Sequence, residues 1–185
     1  MSTEDRLAEL EHQLQYLTDR QQILDCITST SRGNDRFDKA LIVGGYHEDG
    51  WHELGDKLIR GSDYGDHANS AHQAIAETNL HNVTMQICEI DGDVAHTESY
   101  VIGLFADPGG QTSRLLAGRY IDRLEKRDGK WGIVLRRATV EVAMEGEAKL
   151  PNGETPPGSR YLKGNRDRSD PSYERPLTNE GGGRW

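Results

Sequence analysis

Cysteine, long apolar runs and clustered positive charge are all scarce in this sequence, and each shortage removes a class of protein. Cys26 and Cys88 are the two cysteines among 185 residues, one in a helical pattern and one in a strand pattern, so neither a disulfide framework nor a cysteine metal site is indicated. No apolar run approaches the roughly 18 residues that cross a bilayer, and MSTEDRLAEL lacks the basic-then-apolar layout of a signal peptide. A cytoplasmic protein without a membrane partner is therefore expected. The formal net charge of -9 argues against a nucleic-acid partner, because phosphate binding draws on clustered Lys and Arg. No GxGxxG, P-loop, GxSxG or CxxC pattern occurs, so dinucleotide, nucleotide, hydrolase and redox chemistry lack motif support, and no cofactor is expected. His47 with His52, and His67 with His72, are five apart rather than at the i,i+4 spacing of a helical metal site, and no metal is expected either.

What remains is a chain of one-domain length whose mean hydropathy of -0.78 is lowered by its last part. Apolar residues concentrate between about Arg6 and Ala148. From Lys149 to Trp185 the text is rich in Pro, Gly and charge, which predicts an extended or disordered arm over 149–185 appended to a domain over 1–148.

Ser2, Thr3 and Asp5 form an N-cap signal ahead of Leu7, Leu10, Leu14 and Leu17, continued by Ile23, Leu24 and Ile27 at three- and four-residue spacing. The leucines carry a coiled-coil spacing too short to sustain a coil alone, and a lid helix packed on a sheet is the favoured reading. RGNDRFD at 32–38 interrupts the period and predicts a bend. Gly44 to Ser70 reads as loop with short helical or strand pieces. Beyond it NVTMQICEI, VAHTESYVIGLF, RLLAGRYIDRLEK and WGIVLRRATVEVAM, separated by Asp-Gly turns and a Pro-Gly loop, predict an antiparallel meander of four strands. Helices first and a curved meander last give an α+β fold, a cone-shaped barrel of antiparallel sheet covered by the N-terminal helices and enclosing a pocket.

Alternation places His81 at the entrance of the first meander strand, on one face with Val83, Met85 and Ile87. Imidazole beside an apolar pocket suits a general base, and such a base needs a carboxylate to hold its tautomer. Asp35 and Asp38 both qualify, and both residue types also serve turns and caps. In the last strand Arg136 aligns with Val134, Val140 and Val142, whereas Arg137 falls with Ile133 and Leu135. One of the two faces the pocket, where a guanidinium can bind an oxyanion or carboxylate. Tyr46, Tyr64, Glu98, Tyr100, Arg119 and Tyr120 are further polar candidates.

ILDCITSTSRGNDRFD, NLHNVTMQICEIDGDVAHTESYV and GRYIDRLEKRDGKWGIVLRR resemble the SnoaL-like branch of the nuclear transport factor 2-like superfamily over about Thr3 to Ala148. That branch includes lindane dehydrochlorinase, scytalone dehydratase and bile-acid 7α-dehydratase. The resemblance implies that Asp35 and His81 occupy the places of the family's Asp-His pair, and that Arg136 occupies the place of a pocket arginine. Thr30 stands where relatives carry a lysine or tyrosine five residues before the Asp, so leaving-group assistance is expected from Arg136, Tyr46 or Tyr64, with Tyr100 and Thr30 also on the substrate. The implied function is a cofactor-independent lyase acting on a small apolar aryl, steroid or polyketide-like molecule by elimination or by retro-aldol deformylation of a lignin-derived diarylpropane. Alternatives within the superfamily are an isomerase or cyclase of the ketosteroid-isomerase kind and a non-catalytic small subunit of an aromatic-ring dioxygenase. A homo-oligomer, first of all a trimer, is implied as well.

Overall fold

The computed structural model describes residues 1–148 and 164–178. Much of the arm expected over 149–185 thus lies outside the described residues. The N-terminal signal forms a capping box: the Asp5 amide donates to Ser2 Oγ at 3.1 Å and the Ser2 amide to the Asp5 carboxylate at 2.8 Å. From it α1 runs unbroken over Thr3–Arg36, so the expected bend at 32–38 arrives only at Phe37, whose left-handed φ of 53° ends the helix. Asp38 then caps the short α2 (Lys39–Gly44) by accepting the Leu41 amide.

The stretch expected to be mostly loop contains β1 (Tyr46–Leu54), β2 (Lys57–Arg60) and the helix α3 (Gly61–Ile75). Glycines and histidines hid that helix from a propensity reading. Its buried face, Gly61, Tyr64, Gly65 and Ala68, nevertheless has helical spacing, and its small members admit close packing on β1 and α2.

Five strands follow: β3 (Thr78–Asp91), β4 (Val94–Ala106), β5 (Thr112–Arg127), β6 (Lys130–Ala138) and β7 (Val142–Glu147). The β5–β6 turn is Asp128-Gly129 with φ of 52° and 77°, the two-residue hairpin its sequence predicts. Strand order is β2-β1-β6-β5-β4-β3, with β7 also on β5. The sheet is mixed rather than wholly antiparallel, because β1 runs parallel to β6, and it is curved but unclosed. Its concave side takes the C-terminal part of α1, whose Ile23, Ile27 and Thr30 are fully buried.

Two irregularities re-aim side chains. A bulge between Val83 and Gln86 inverts the alternation of β3, so Asn79, His81 and Val83 point inward while Met85 and Ile87, expected on the same face, lie 57% and 49% exposed on the convex side. The second is at Gly118, where β5 changes partner: its second half pairs with β6 and its first half with β7. The single strand expected from WGIVLRRATVEVAM is split there, because residues 139–141 cross directly over Gly118. A Cβ on Gly118 would lie 1.9 Å from the Thr139 carbonyl oxygen. Gly118→Ala should therefore destabilise the protein by about 3 kcal/mol or more, an overpacking cost against backbone that cannot yield locally. Urea unfolding followed by circular dichroism measures it, and a wild-type midpoint would contradict this account of the crossing.

Candidate active site

The last turn of α1 lies against the entrance of β3 and brings Asp35 to His81. The His81 Nδ1 is 2.7 Å from Asp35 Oδ1, and the His81 backbone amide donates to both carboxylate oxygens at 3.0 Å. Asn79 Nδ2 adds a third donor at 3.1 Å while also reaching the Asn34 carbonyl. With four contacts on one carboxylate, Asp35 is fixed, and with it the orientation of the ring. When Nδ1–H donates to the carboxylate, Nε2 carries the lone pair, and among the described residues Nε2 has no hydrogen-bond partner. Phe105 meets the ring edge-on at 5.5 Å and His72 packs beside it at 5.1 Å. Asp38, the competing candidate, is engaged elsewhere: beyond capping α2 it accepts from the Tyr173 hydroxyl at 2.8 Å and from Arg168 at 3.0 Å.

Those last two partners belong to residues 164–178, which pack on the end of α1. Arg36 pairs with Asp170 at 3.0 Å, and Arg166 donates to the Asn79 side-chain oxygen at 2.5 Å and to the Ala76 carbonyl at 2.7 Å while stacking over Phe37. Asn79 thus holds Asp35 with one end and is held by Arg166 at the other. Sequence reading missed both, since nothing local to NRDRSD signals a tie to residue 79.

Deeper in the concave side sits a buried cation. Alternation alone left Arg136 and Arg137 undecided; Arg136 points inward and is 1% exposed, while Arg137 points out to Glu53. Arg136 is not a free anion binder. Asp122 takes its Nε and Nη2 at 2.8 and 2.7 Å, Thr30 accepts from Nη1 at 2.7 Å, and Tyr120 lies under it at 4.2 Å. Burial works against the charge, but Asp122 more than offsets that and keeps the guanidinium protonated. Two of its five N–H groups remain for another acceptor. Thr30 thus anchors the arginine, its hydroxyl accepting from Nη1 while donating to the Ile27 carbonyl at 2.8 Å.

Tyr46 and Tyr64 are both inside. The Tyr46 hydroxyl is 2.7 Å from His52 Nδ1, and Tyr64 stacks on the same imidazole at 3.7 Å. Burial raises both phenols well above their ordinary range and, together with the nearby Arg136 charge, pushes His52 down to about 2. Tyr100 does not join them: it lies on the outer face of β4, 40% exposed, one alternation out of step with the inward Thr97, Ser99, Val101 and Phe105. Tyr120, only a minor candidate from sequence, sits inward, with burial raising its phenol and both Arg136 and Asp35 close enough to act on it. Asp122 went unrecognised, since an acidic residue in a strand flanked by arginines reads as surface. His52 Nε2, Thr97 Oγ1 and Ser99 Oγ are buried without a partner among the described residues. Of the paired histidines, His47 bonds the Glu125 carbonyl and His72 flanks the dyad; among the described residues no three His, Cys, Asp or Glu side chains gather as a metal site.

Residues 15–137 match the family model for the SnoaL-like domain. The chain belongs to the SnoaL-like domain family. Solved structures of similar shape include a type 2 hexachlorocyclohexane dehydrochlorinase, 22% identical with a TM-score of 0.70, covering 76% of this chain and 99% of that one. A putative scytalone dehydratase from Novosphingobium aromaticivorans is 17% identical with a TM-score of 0.63, covering 79% and 97%. A Mycobacterium tuberculosis protein of unknown function is 26% identical with a TM-score of 0.61, covering 69% and 74%. None of the curated proteins compared matches significantly. This SnoaL-like chain has no described helix long and apolar enough to cross a membrane.

Two outcomes follow for this SnoaL-like site. Asp122→Ala leaves the Arg136 charge buried and unpaired and should cost about 3–5 kcal/mol, whereas replacing both partners by apolar residues of similar volume should recover most of it; chemical denaturation of the three proteins decides. Acid should also unfold the protein early. Burial, reinforced by neighbouring His81, lowers His72 to about 4, and burial lowers His52 to about 2, against 6.5 in the unfolded chain. Both histidines are neutral when folded, so their contribution is complete above pH about 6.5 and is lost as pH falls, with a slope of up to about 1.4 kcal/mol per pH unit for each. His72→Asn should flatten the stability profile between pH 6 and about 4; an unchanged slope would remove His72 from the account.

Proposed function

We propose that this SnoaL-like protein is a cofactor-independent lyase in which His81, oriented by Asp35, is the general base of an elimination. The supporting observation is the 2.7 Å contact from His81 Nδ1 to a carboxylate that is itself held by the His81 amide and by Asn79. A base so held keeps its proton on Nδ1 and offers Nε2 to the substrate, and the same carboxylate stabilises the imidazolium once a proton arrives.

In the reaction proposed, Nε2 removes the proton from a carbon adjacent to the one bearing the leaving group. The C–H pair becomes the new double bond, and the bond to the leaving oxygen or halide breaks with its own pair. A leaving hydroxyl needs a proton, and Tyr120, kept protonated by burial, is the donor we assign, with the spare N–H groups of Arg136 on a carbonyl oxygen that gathers charge. As substrate class we propose an apolar ring frame carrying hydroxyl or carbonyl oxygen, with the inward-facing Val83, Val101 and Phe105 assigned to the frame and the polar atoms of Thr97, Ser99 and His52, unpartnered among the described residues, to the oxygen. For assembly we propose the trimer, joined through the apolar convex face where Met85, Ile87, Ile102, Leu104 and Ile121 lie exposed.

A panel of cyclic β-hydroxyketones, aryl alcohols and chlorinated rings, followed by product mass, tests the reading. A product lighter by water or hydrogen chloride supports it, with His81→Ala and Asp35→Asn each lowering kcat by roughly 10²–10⁴ while the fold persists. A product of unchanged mass would move the assignment to an isomerase using the same dyad, and full activity in either variant would remove the dyad from the mechanism.

A further inference from the structure

The first half of α1 belongs to neither the fold nor the site. Leu7, Leu10, Leu14 and Leu17 are 56%, 53%, 66% and 60% exposed, and the first buried residue of the helix is Asp19, which accepts from Trp131 Nε1 at 2.8 Å. The expected lid packing therefore holds only from about Asp19 onward. The family match begins at residue 15, so the leucine stripe lies almost wholly outside the segment that defines the family.

Nor is that stripe a continuation of the seam by which α1 packs on the sheet. At roughly 100° per residue, the leucines centre about 165° around the helix axis from the buried Asp19, Ile23, Ile27 and Thr30. The run read from sequence as one amphipathic face is two faces, with the phase changing between Leu17 and Ile23. A helix whose lower half seats its back on the sheet presents the leucine side to the outside. Sixteen residues of helix with four exposed leucines are marginal in water, and that face needs a partner.

We propose that the occupant is the same segment of a second copy of this chain, in a parallel coiled coil. The leucines have the a/d spacing of two heptads, with Leu7 and Leu14 at a, Leu10 and Leu17 at d, Arg6 and Gln13 at g, and Glu11 and Thr18 at e. In a parallel pair, each g faces the e five residues later in its partner. Arg6 then meets Glu11 of the other copy twice, once on each side of the seam. An antiparallel pair centred on the stripe would set Glu11 against Glu11 and Arg6 against Arg20, like charges in both cases. Arg6 and Glu11 are exposed and form no ion pair among the described residues. Because each sheet lies on the side of α1 opposite the leucines, two copies can pair along α1 without their sheets meeting. The seam is separate from the convex sheet face, so its contribution multiplies whatever assembly that face makes.

The test uses the full chain and light scattering coupled to size exclusion. Leu10→Glu combined with Leu14→Glu should halve the molar mass while circular dichroism retains the sheet signal, since both side chains are more than half exposed. An unchanged mass, or a wild-type mass equal to one chain, overturns the proposal. Orientation is read separately. Leu10→Cys should form a covalent pair under mild oxidation, because d meets d in a parallel coil, whereas halving of the mass without that crosslink would place the leucines on another surface of the partner and overturn the coil. Arg6→Glu and Glu11→Arg should each weaken pairing on the order of tenfold, and the two together should restore it. Failure of restoration overturns the parallel register.

Discussion

A fully buried arginine sets the terms for the interior of this protein. Once Arg136 points into the concave side of the sheet, its charge must be matched, and Asp122 on the adjacent strand does so in a two-pronged pairing. The remaining geometry follows from that pair. Thr30 turns its hydroxyl oxygen to Nη1, which ties α1 to β6; Tyr120 lays its ring under the guanidinium; and His52, opposite Arg136 on β1, stays neutral because the cation and the lack of water both oppose a second positive charge. A buried pair of this kind contributes little net stability relative to an apolar core, but it strongly disfavours any register in which one member lacks the other.

The dyad sits at the other end of the same interior and depends on different contacts. Asp35 is held by the first residues of β3, and behind it Asn79 and Arg166 form a second layer reaching to a segment well beyond the family's matched residues. Burial opposes the charge on Arg166, with Asp35 and Glu77 acting the other way, so the guanidinium and the carboxylate it supports through Asn79 are electrostatically linked. Asp35, His81 and Asn79 thus all lie within the residues matched to the SnoaL-like domain, whereas Arg166, which holds Asn79 from behind, lies beyond them.

Residue types and their order along the chain determined a good deal. The capping box, the Asp-Gly hairpin turns, the alternation in β4 and β5, and the order of helices before strands are local signals, each set by a few adjacent residues, and they sufficed for the α+β class and for the segments that carry Asp35, His81 and Arg136. What tertiary structure alone decided are questions of phase and partnership. A one-residue bulge at 84–85 turned Met85 and Ile87 outward, the crossing over Gly118 divided one expected strand into two, and a change of face along α1 separated the leucines from the sheet-packing seam. Asp122 and Arg166 became recognisable as interior partners only when strands and segments distant in sequence met. Periodicity reports which residues share a face within one element, but it does not fix which neighbour that face will find, because that is settled by the summed packing of elements that are far apart in the chain.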